Sequence, residues 1–222
     1  MKSPIQWRDG QLLSRVLEER YDARKRGGRE RPGSLWKELF PAEVHGLPAR
    51  DYFLWRSLPR PRDFIMLANS SIGNAINRRH SSITQDDILS AERDYSKFAT
   101  DALIVESMSE GVPLSTAVLE MAGLDATLSK DDLDVMMSPF DDPEKMIMWL
   151  VRSSFLGVET SRGVFEHIEG EEEARRHINM ARRLAVREDR RERFRIHPAF
   201  RPHLRVRDDD LHDSSVVDGT LI

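Results

Sequence analysis

The chain has 222 residues, of which 39% are hydrophobic and 32% are charged, and its formal net charge is −4. This composition supplies enough apolar side chains for one or two buried cores. No segment approaches the roughly 20 apolar residues of a membrane-spanning helix. There is no cysteine for disulfide or thiolate chemistry, and the first residues lack the apolar region of a secretory signal peptide. We therefore expect a cytoplasmic protein.

The charges are unevenly distributed along the chain. The first 80 residues contain 16 Lys and Arg against 9 Asp and Glu, whereas the rest of the chain contains 18 against 29. The acidic residues are concentrated between positions 85 and 145, and arginine becomes frequent again from 175 to 207. This alternation predicts basic surfaces on either side of an acidic connecting region.

The first half of the chain has the apolar spacing of successive amphipathic helices. One helix begins near Asp9, and a short helix follows Ser34. Pro61 is typical of a first helical position and begins a helix that extends to about residue 80. Thr84 and Asp87 form a capping box at the start of a long helix that ends near residue 109. The residues expected to face inward on these last two helices include Phe64, Leu67, Ala68, Ile72, Ala75, Ile76, Ile88, Ala91, Tyr95, Phe98, Leu103 and Val105.

The second half begins with helices and then changes to the spacing of β-strands. Ser129 and Asp142 are expected N-caps, the second one followed by a proline at the first helical position. Apolar runs on both sides of Arg162 predict a β-hairpin. The predicted helices span about 113–122, 130–137, 143–152 and 171–193, and a short strand with a terminal turn is expected over 194–204. The predicted fold is mainly α: a helical bundle over 1–110, a domain with a small hairpin over 111–205, and an acidic flexible tail over 206–222.

Sequence motifs for catalysis are lacking. The phosphate-binding pattern G-x-x-x-x-G-K-[ST] does not occur, and neither does H-E-x-x-H or G-x-S-x-G. No two histidines are three or four residues apart, so no metal site is expected on a helix face. The adjacent aspartates at 86–87, 131–132 and 141–142 all lie where a helix begins, which favours capping over acid–base chemistry. We expect no enzyme activity from this chain alone.

Two elements of the first half resemble the helical lid of AAA-like and STAND-like P-loop ATPases. The first is R-P-R-D at residues 60–63, and the second is I-T-Q-D-D-I at residues 83–88. In such lids the R-P-R-D arginine faces the phosphates of the bound nucleotide. The resemblance therefore implies that Arg62, with Arg60 as its neighbour, senses nucleotide state. A guanidinium beside the exposed N–H groups of a helix N-terminus is physically suited to bind a phosphate.

The second half resembles the winged-helix module that often follows such a lid. The features that carry this resemblance are the helix ending at Arg152, the hairpin after it and the closing segment after residue 196. The Walker motifs of these ATPases are missing here. The resemblance therefore implies a non-catalytic lid and interaction module that senses nucleotide in trans and relays its state to a protein partner. ATP and Mg²⁺ would be bound only together with a partner P-loop domain, and an inactive ATPase fragment is an alternative.

The arginines of the second half have two interpretations. Arg162 lies at the expected wing tip, and Arg182, Arg183 and Arg187 lie on the last long helix, so all four are candidates for nucleic-acid contact. DNA binding through this helix is the second alternative function. The same arginines alternate with acidic residues, which is typical of a solvated helix face with ion pairs four residues apart. The helix over 130–137 is acidic, which favours a protein partner over DNA at that helix.

Overall fold

The computed structural model describes residues 10–24 and 34–207. The chain divides into two compact units, Met1–Tyr95 and Ser96–Ile222. The division falls inside a long helix, whereas the boundary predicted from the sequence lies just after that helix ends. The expected N-cap Asp9 and most of the acidic tail lie outside the described residues.

The fold is mainly α, as predicted, with short antiparallel sheets. In chain order, the helices of the described residues are α1 (Gly10–Asp22), α2 (Ser34–Glu38), α3 (Ala49–Arg56), α4 (Pro61–Asn77), α5 (Gln85–Ser109), α6 (Leu114–Glu120), α7 (Lys130–Met137), α8 (Pro143–Arg152), α9 (Glu171–Arg187) and α10 (Arg201–Leu204). Among these described helices, none is long and apolar enough to cross a membrane.

The first unit is built around an aromatic cluster. Trp36 on α2 lies between Phe40 and Phe53, with ring centroids 4.8 and 5.5 Å away, and Phe53 is 6.0 Å from Phe64 on α4. Such tilted and edge-on aromatic pairs add to the free energy of burial. Helices α1, α3 and α4 pack around this cluster. A small antiparallel ribbon that was not predicted, β1 (Glu43–Val44) with β2 (Leu47–Pro48), precedes α3.

The second unit contains a four-stranded antiparallel sheet in the order β3-β6-β4-β5. Its strands are β3 (Thr127–Ser129), β4 (Leu156–Ser161), β5 (Val164–Glu166) and β6 (Arg193–Ile196). The β4–β5 hairpin and the strand β6 were predicted. Strand β3 was not, because it has three residues and its partner β6 is more than 60 residues away in sequence. Helix α9 packs against β4 and against α8.

The prediction that the last long helix reaches residue 193 is wrong. Helix α9 ends at Arg187, and Asp189 adopts the left-handed conformation with φ 48°. The N–H of Arg190 then donates to the carbonyl of Ala185 at 3.0 Å, which closes the helix end. This turn sends the chain into β6, and the pairing of β6 with two other strands outweighs the local helical tendency.

Two apolar residues expected to face inward are instead exposed. Ile76 and Val105 each have 67% of their surface accessible. On α4 the buried stripe includes Ser71, whose hydroxyl donates to the carbonyl of Leu67 at 2.8 Å. On α5 Ser107 is likewise buried and donates to the carbonyl of Ile104. Serine enters both buried stripes because the helix backbone satisfies its hydroxyl, and periodicity counted on apolar residues misses it.

The predicted helix caps are confirmed. The carboxylate of Asp87 accepts from the backbone N–H of Thr84 at 3.0 Å and from its hydroxyl at 2.8 Å. The hydroxyl of Ser129 accepts from the N–H of Asp132, and Asp142 accepts from the N–H of Lys145 at 3.0 Å. These caps satisfy N–H groups that a helix leaves without partners.

The Asp87 cap is part of a larger polar cluster. Asp87 is buried and also lies 2.9 Å from Nη1 of Arg78 and 2.8 Å from Nδ1 of His80. Burial opposes ionisation of Asp87, but hydrogen bonds from His80, Thr84 and Arg78 outweigh it and hold the pKa of the carboxyl well below its usual range. The ionised carboxylate therefore fastens the C-terminal end of α4 to the first turn of α5.

We expect Asp87→Asn to lower the free energy of unfolding by about 1–3 kcal/mol at pH 7, since it weakens several buried hydrogen bonds. The low folded pKa means that the contribution of Asp87 is present above about pH 4 and is lost as the pH falls below that value. Urea denaturation from pH 7 to pH 3 measures this. The exposed neighbour Asp86 provides the matched control Asp86→Asn. A similar loss for both variants, or a difference that does not shrink between pH 7 and pH 3, would contradict this interpretation.

Candidate functional site

The predicted sensor arginines lie at the N-terminal turn of α4. Arg60 is the N-cap residue, with φ −129° and ψ 133° and no side-chain cap, and Pro61 occupies the first turn. The N–H groups of Asp63 and Phe64 both donate to the carbonyl of Arg60 at 3.1 Å. The proline fixes the backbone angle and removes one N–H that would have no partner, so the sequence defines this helix start locally.

Arg62 is exposed at this turn and the neighbouring aspartate is not. The Arg62 side chain is 61% exposed, whereas that of Asp63 is 1% exposed. Nε of Arg62 is 3.8 Å from Oδ2 of Asp63, a distance longer than a hydrogen bond. The guanidinium thus reaches solvent beside the helix end. Asp63 partly offsets the positive charge of Arg60 and Arg62, which leaves a formal local charge of +1.

Tyr95 of α5 is buried and holds the turn through two hydrogen bonds. Its hydroxyl accepts from the backbone N–H of Leu58 at 2.9 Å and donates to Oδ1 of Asp63 at 3.3 Å. Burial and the charge of Asp63 raise the pKa of the Tyr95 phenol well above its usual value, so the phenol keeps its proton. The hydroxyl joins the chain before α4 to the first turn of α4. It therefore fixes the backbone that carries Arg60 and Arg62.

A second buried polar cluster, which sequence reasoning missed, lies within the same unit. Nε of Arg56 is 3.3 Å from the carboxylate of Glu92, and both side chains are almost fully buried. The Tyr52 hydroxyl donates to the same carboxylate, and the Arg56 guanidinium lies 4.3 Å from the ring centroid of Trp55. Burial raises the pKa of the Tyr52 phenol well above its ordinary value. The charge of Arg56 lowers this pKa and the charge of Glu92 raises it, but burial has the largest effect. The sequence contained a signal for this cluster, because the charged residue Glu92 lies between Ile88 and Tyr95 on the inner face of α5.

The four arginines predicted to contact nucleic acid differ in their surroundings. Nε of Arg182 lies 3.4 Å from the carboxylate of Glu192. Arg183 and Arg187 are exposed on α9, and Arg162 is exposed at the turn of the β4–β5 hairpin. Within residues 10–24 and 34–207, none of these last three forms an ion pair.

The hairpin turn and the end of α9 share one electrostatic environment. The hydrogen bond from Arg190 is the main cause that lowers the pKa of Glu188, and the charges of Arg162 and Arg187 lower it further. The charges of Arg162 and Arg187 therefore act on the same carboxylate, although these residues are 25 positions apart in sequence. Glu159 of β4 fixes this region, because it accepts from the N–H of Gly163 at 2.7 Å.

The helix predicted to face a partner, α7, carries its charges in ion pairs and caps. Lys130 pairs with Asp134 and lies 3.1 Å from Glu144. Asp131 lies 3.1 Å from Arg191, and Asp132 belongs to the capping box. This acidic surface offers no row of unpaired cations for a phosphate backbone.

Histidines meet at one place in the second unit. The rings of His167 and His197 lie edge to face with centroids 4.5 Å apart. Burial, together with the charge of Arg201, lowers the pKa of His167 to about 3, so this ring is neutral near pH 7. Among the described residues, no group of three or more His, Asp or Glu side chains is arranged to hold a metal ion.

We expect Tyr95→Phe to lower the free energy of unfolding by roughly 1–3 kcal/mol, because it leaves the buried N–H of Leu58 without its hydroxyl acceptor and removes one hydrogen bond from the carboxylate of Asp63. Thermal or urea denaturation measures the loss. Tyr21→Phe is the matched control, since the Tyr21 hydroxyl bonds Glu38 at an exposed position. Equal stability of Tyr95→Phe and wild type would show that the phenol does not anchor the turn.

Comparison with protein-family models finds a similarity in the first half of the chain. A family model described as the FunZ-associated C-terminal helical domain matches residues 11–104. No curated protein and no solved structure matches the chain. The description of the family mentions neither an ATPase lid nor a winged helix, so both of those resemblances stay predictions. The matched segment runs from α1 into α5 and includes the α4 turn with Arg60 and Arg62, so this part of the chain is similar to a C-terminal helical domain associated with FunZ.

Proposed function

We propose that this chain is a non-catalytic accessory module that acts with a protein partner. Its α4 turn would contact the phosphates of a nucleotide held by a P-loop domain of that partner. The single observation that carries the proposal is that the Arg62 side chain is 61% exposed on a turn that the buried Tyr95 holds in place. The similarity of residues 11–104 to an associated C-terminal helical domain supports an accessory role.

The physical basis is the combination of a guanidinium with a helix N-terminus. A helix of 17 residues carries partial positive charge at its first turn, and a planar guanidinium donates two parallel hydrogen bonds to a phosphate. The turn is already ordered, so little conformational entropy is lost when a phosphate binds. Asp63 contributes negative charge next to Arg62. This limits binding of free phosphate and makes the site depend on a partner that brings the nucleotide into position.

Arg60 has a secondary part in this proposal. Arg60 is half-buried. Its charge lowers the pKa of the Tyr95 phenol, although burial and the charge of Asp63 raise that pKa by more. We therefore assign Arg60 to holding the turn and Arg62 to the phosphate. ATP and Mg²⁺ would be held by the P-loop domain of the partner, and Arg62 would respond to loss of the γ-phosphate after hydrolysis. The alternative, an inactive ATPase fragment, assigns no phosphate contact to either arginine.

The test is co-expression with a P-loop ATPase encoded next to this chain, followed by ATP hydrolysis assays on the purified complex. We expect Arg62→Ala to lower the hydrolysis rate of the complex at least tenfold, since one transition-state donor of this kind is worth about 10²–10³ in rate. Arg62→Lys keeps the charge but loses the bidentate geometry, so an intermediate rate is expected.

Arg93→Ala is the matched control, because Arg93 is an exposed arginine on α5 within the same compact unit. Its rate should equal that of the wild-type complex. A complex that hydrolyses ATP equally well with Arg62→Ala would reject the phosphate contact. A complex without any hydrolysis would favour the inactive fragment.

A further inference from the structure

One exposed surface of the second unit carries three arginines that lie outside the ion pairs of the described residues. It consists of Arg183 and Arg187 on α9 and Arg162 at the hairpin turn, and we call it the basic surface. Within the described ranges these three arginines form no ion pair, and all three are exposed. Such a surface attracts a polyanion.

The neighbouring arginines show why the charge remains. Between positions 182 and 195 there are seven arginines against three acidic residues. Glu188 and Glu192 are held in ion pairs, whereas the exposed Asp189 lies in the turn that follows α9. Arg190 contacts both Glu188 and Glu159 at 2.7 Å, and Arg193 lies 3.5 Å from Glu159. Arg182 is held by Glu192. The three arginines of the basic surface are left over after this pairing.

We propose that the basic surface binds the phosphodiester backbone of nucleic acid without reading its sequence. Arg183 and Arg187 are one helical turn apart, about 6 Å along the axis, and so project from the same side of α9. The hairpin turn that carries Arg162 lies beside the end of α9, because Glu159 accepts from the N–H of Gly163 and pairs with Arg190 at 2.7 Å. Three cations on one surface can each contact a phosphate of a ligand that carries one negative charge about every 3.4 Å along each strand.

The type of cation is suited to phosphate ligands. After Lys145 the chain contains fourteen arginines and no lysine. The guanidinium binds phosphate through two parallel hydrogen bonds and is more weakly hydrated than an ammonium group. Helix α7, at which the sequence favours a protein partner over DNA, has its charged residues in ion pairs and caps, so this unit is suited to backbone contact and not to base readout.

This binding is independent of the proposed phosphate contact of Arg62, which lies in the other unit. The test uses the full chain with fluorescently labelled duplex DNA of about 25 base pairs and with duplex RNA of the same length. Binding is followed by fluorescence anisotropy between 25 and 200 mM salt. We expect measurable binding at low salt, with an affinity that falls steeply as salt increases.

The double variant Arg183→Glu with Arg187→Glu should weaken binding at least tenfold at low salt. It should also reduce the slope of log affinity against log salt by about 2, since each lost phosphate contact removes about 0.9. Arg162→Glu should weaken binding by a smaller factor. The matched control is Arg20→Glu with Arg93→Glu, which changes the net charge equally at two exposed arginines of the first unit. Circular dichroism checks that all variants are folded.

Absence of binding at 25 mM salt, or an equal loss for the control variant, would overturn the proposal. Polyglutamate that displaces the duplex as effectively as unlabelled DNA would also overturn it and would indicate an acidic protein ligand. A preference for DNA over RNA, or the reverse, would identify which nucleic acid carries the recognised backbone, and equal affinities would indicate recognition of phosphates alone.

Discussion

The candidate site of the first unit depends on one buried hydroxyl group. Tyr95 satisfies the backbone N–H of Leu58 and the carboxylate of Asp63 at the same time. Without it, the buried N–H of Leu58 would lose its hydroxyl acceptor, and leaving a buried donor unsatisfied costs more free energy than a hydrogen bond normally contributes. The start of α4, and with it the position of Arg62, therefore follows from a contact that α5 makes from within the core.

The second unit uses a buried carboxylate in a comparable way. Glu159 on β4 is 1% exposed, accepts from the N–H of Gly163 in the hairpin turn, and pairs with Arg190 and Arg193. A buried charge is tolerated only when it is paired and hydrogen-bonded. This pairing places the hairpin turn beside the end of α9, so a structural requirement of the core determines which arginines remain at the surface.

In both units, buried side chains hold a turn in place, and the same turn carries an exposed arginine. In the first unit Asp63 and Tyr95 are buried while Arg62 reaches solvent. In the second unit Glu159 is buried while Arg162 is exposed. Because the backbone that carries these arginines is already held in place, only side-chain entropy is lost when they bind a phosphate. The two proposals differ in partner, a protein-bound nucleotide in one unit and a nucleic-acid backbone in the other.

The sequence determined those features that depend on neighbouring residues. Proline at the start of α4, the capping boxes at Thr84 and Ser129, and the hairpin around Arg162 were predictable because their hydrogen bonds join residues a few positions apart. Arg62 directly follows this proline in the first turn of α4, and its side chain is exposed.

Only the tertiary structure decided the features that join distant parts of the chain. The Arg56–Glu92 pair, the pairing of β3 with β6 and the end of α9 at Arg187 were not predictable, because each depends on a partner that folding brings close. Whether a given arginine of α9 is paired or exposed depends in the same way on acidic residues from other elements. Local periodicity carries no information about such partners, since the energy of a non-local contact exists only after the chain has closed the intervening loop.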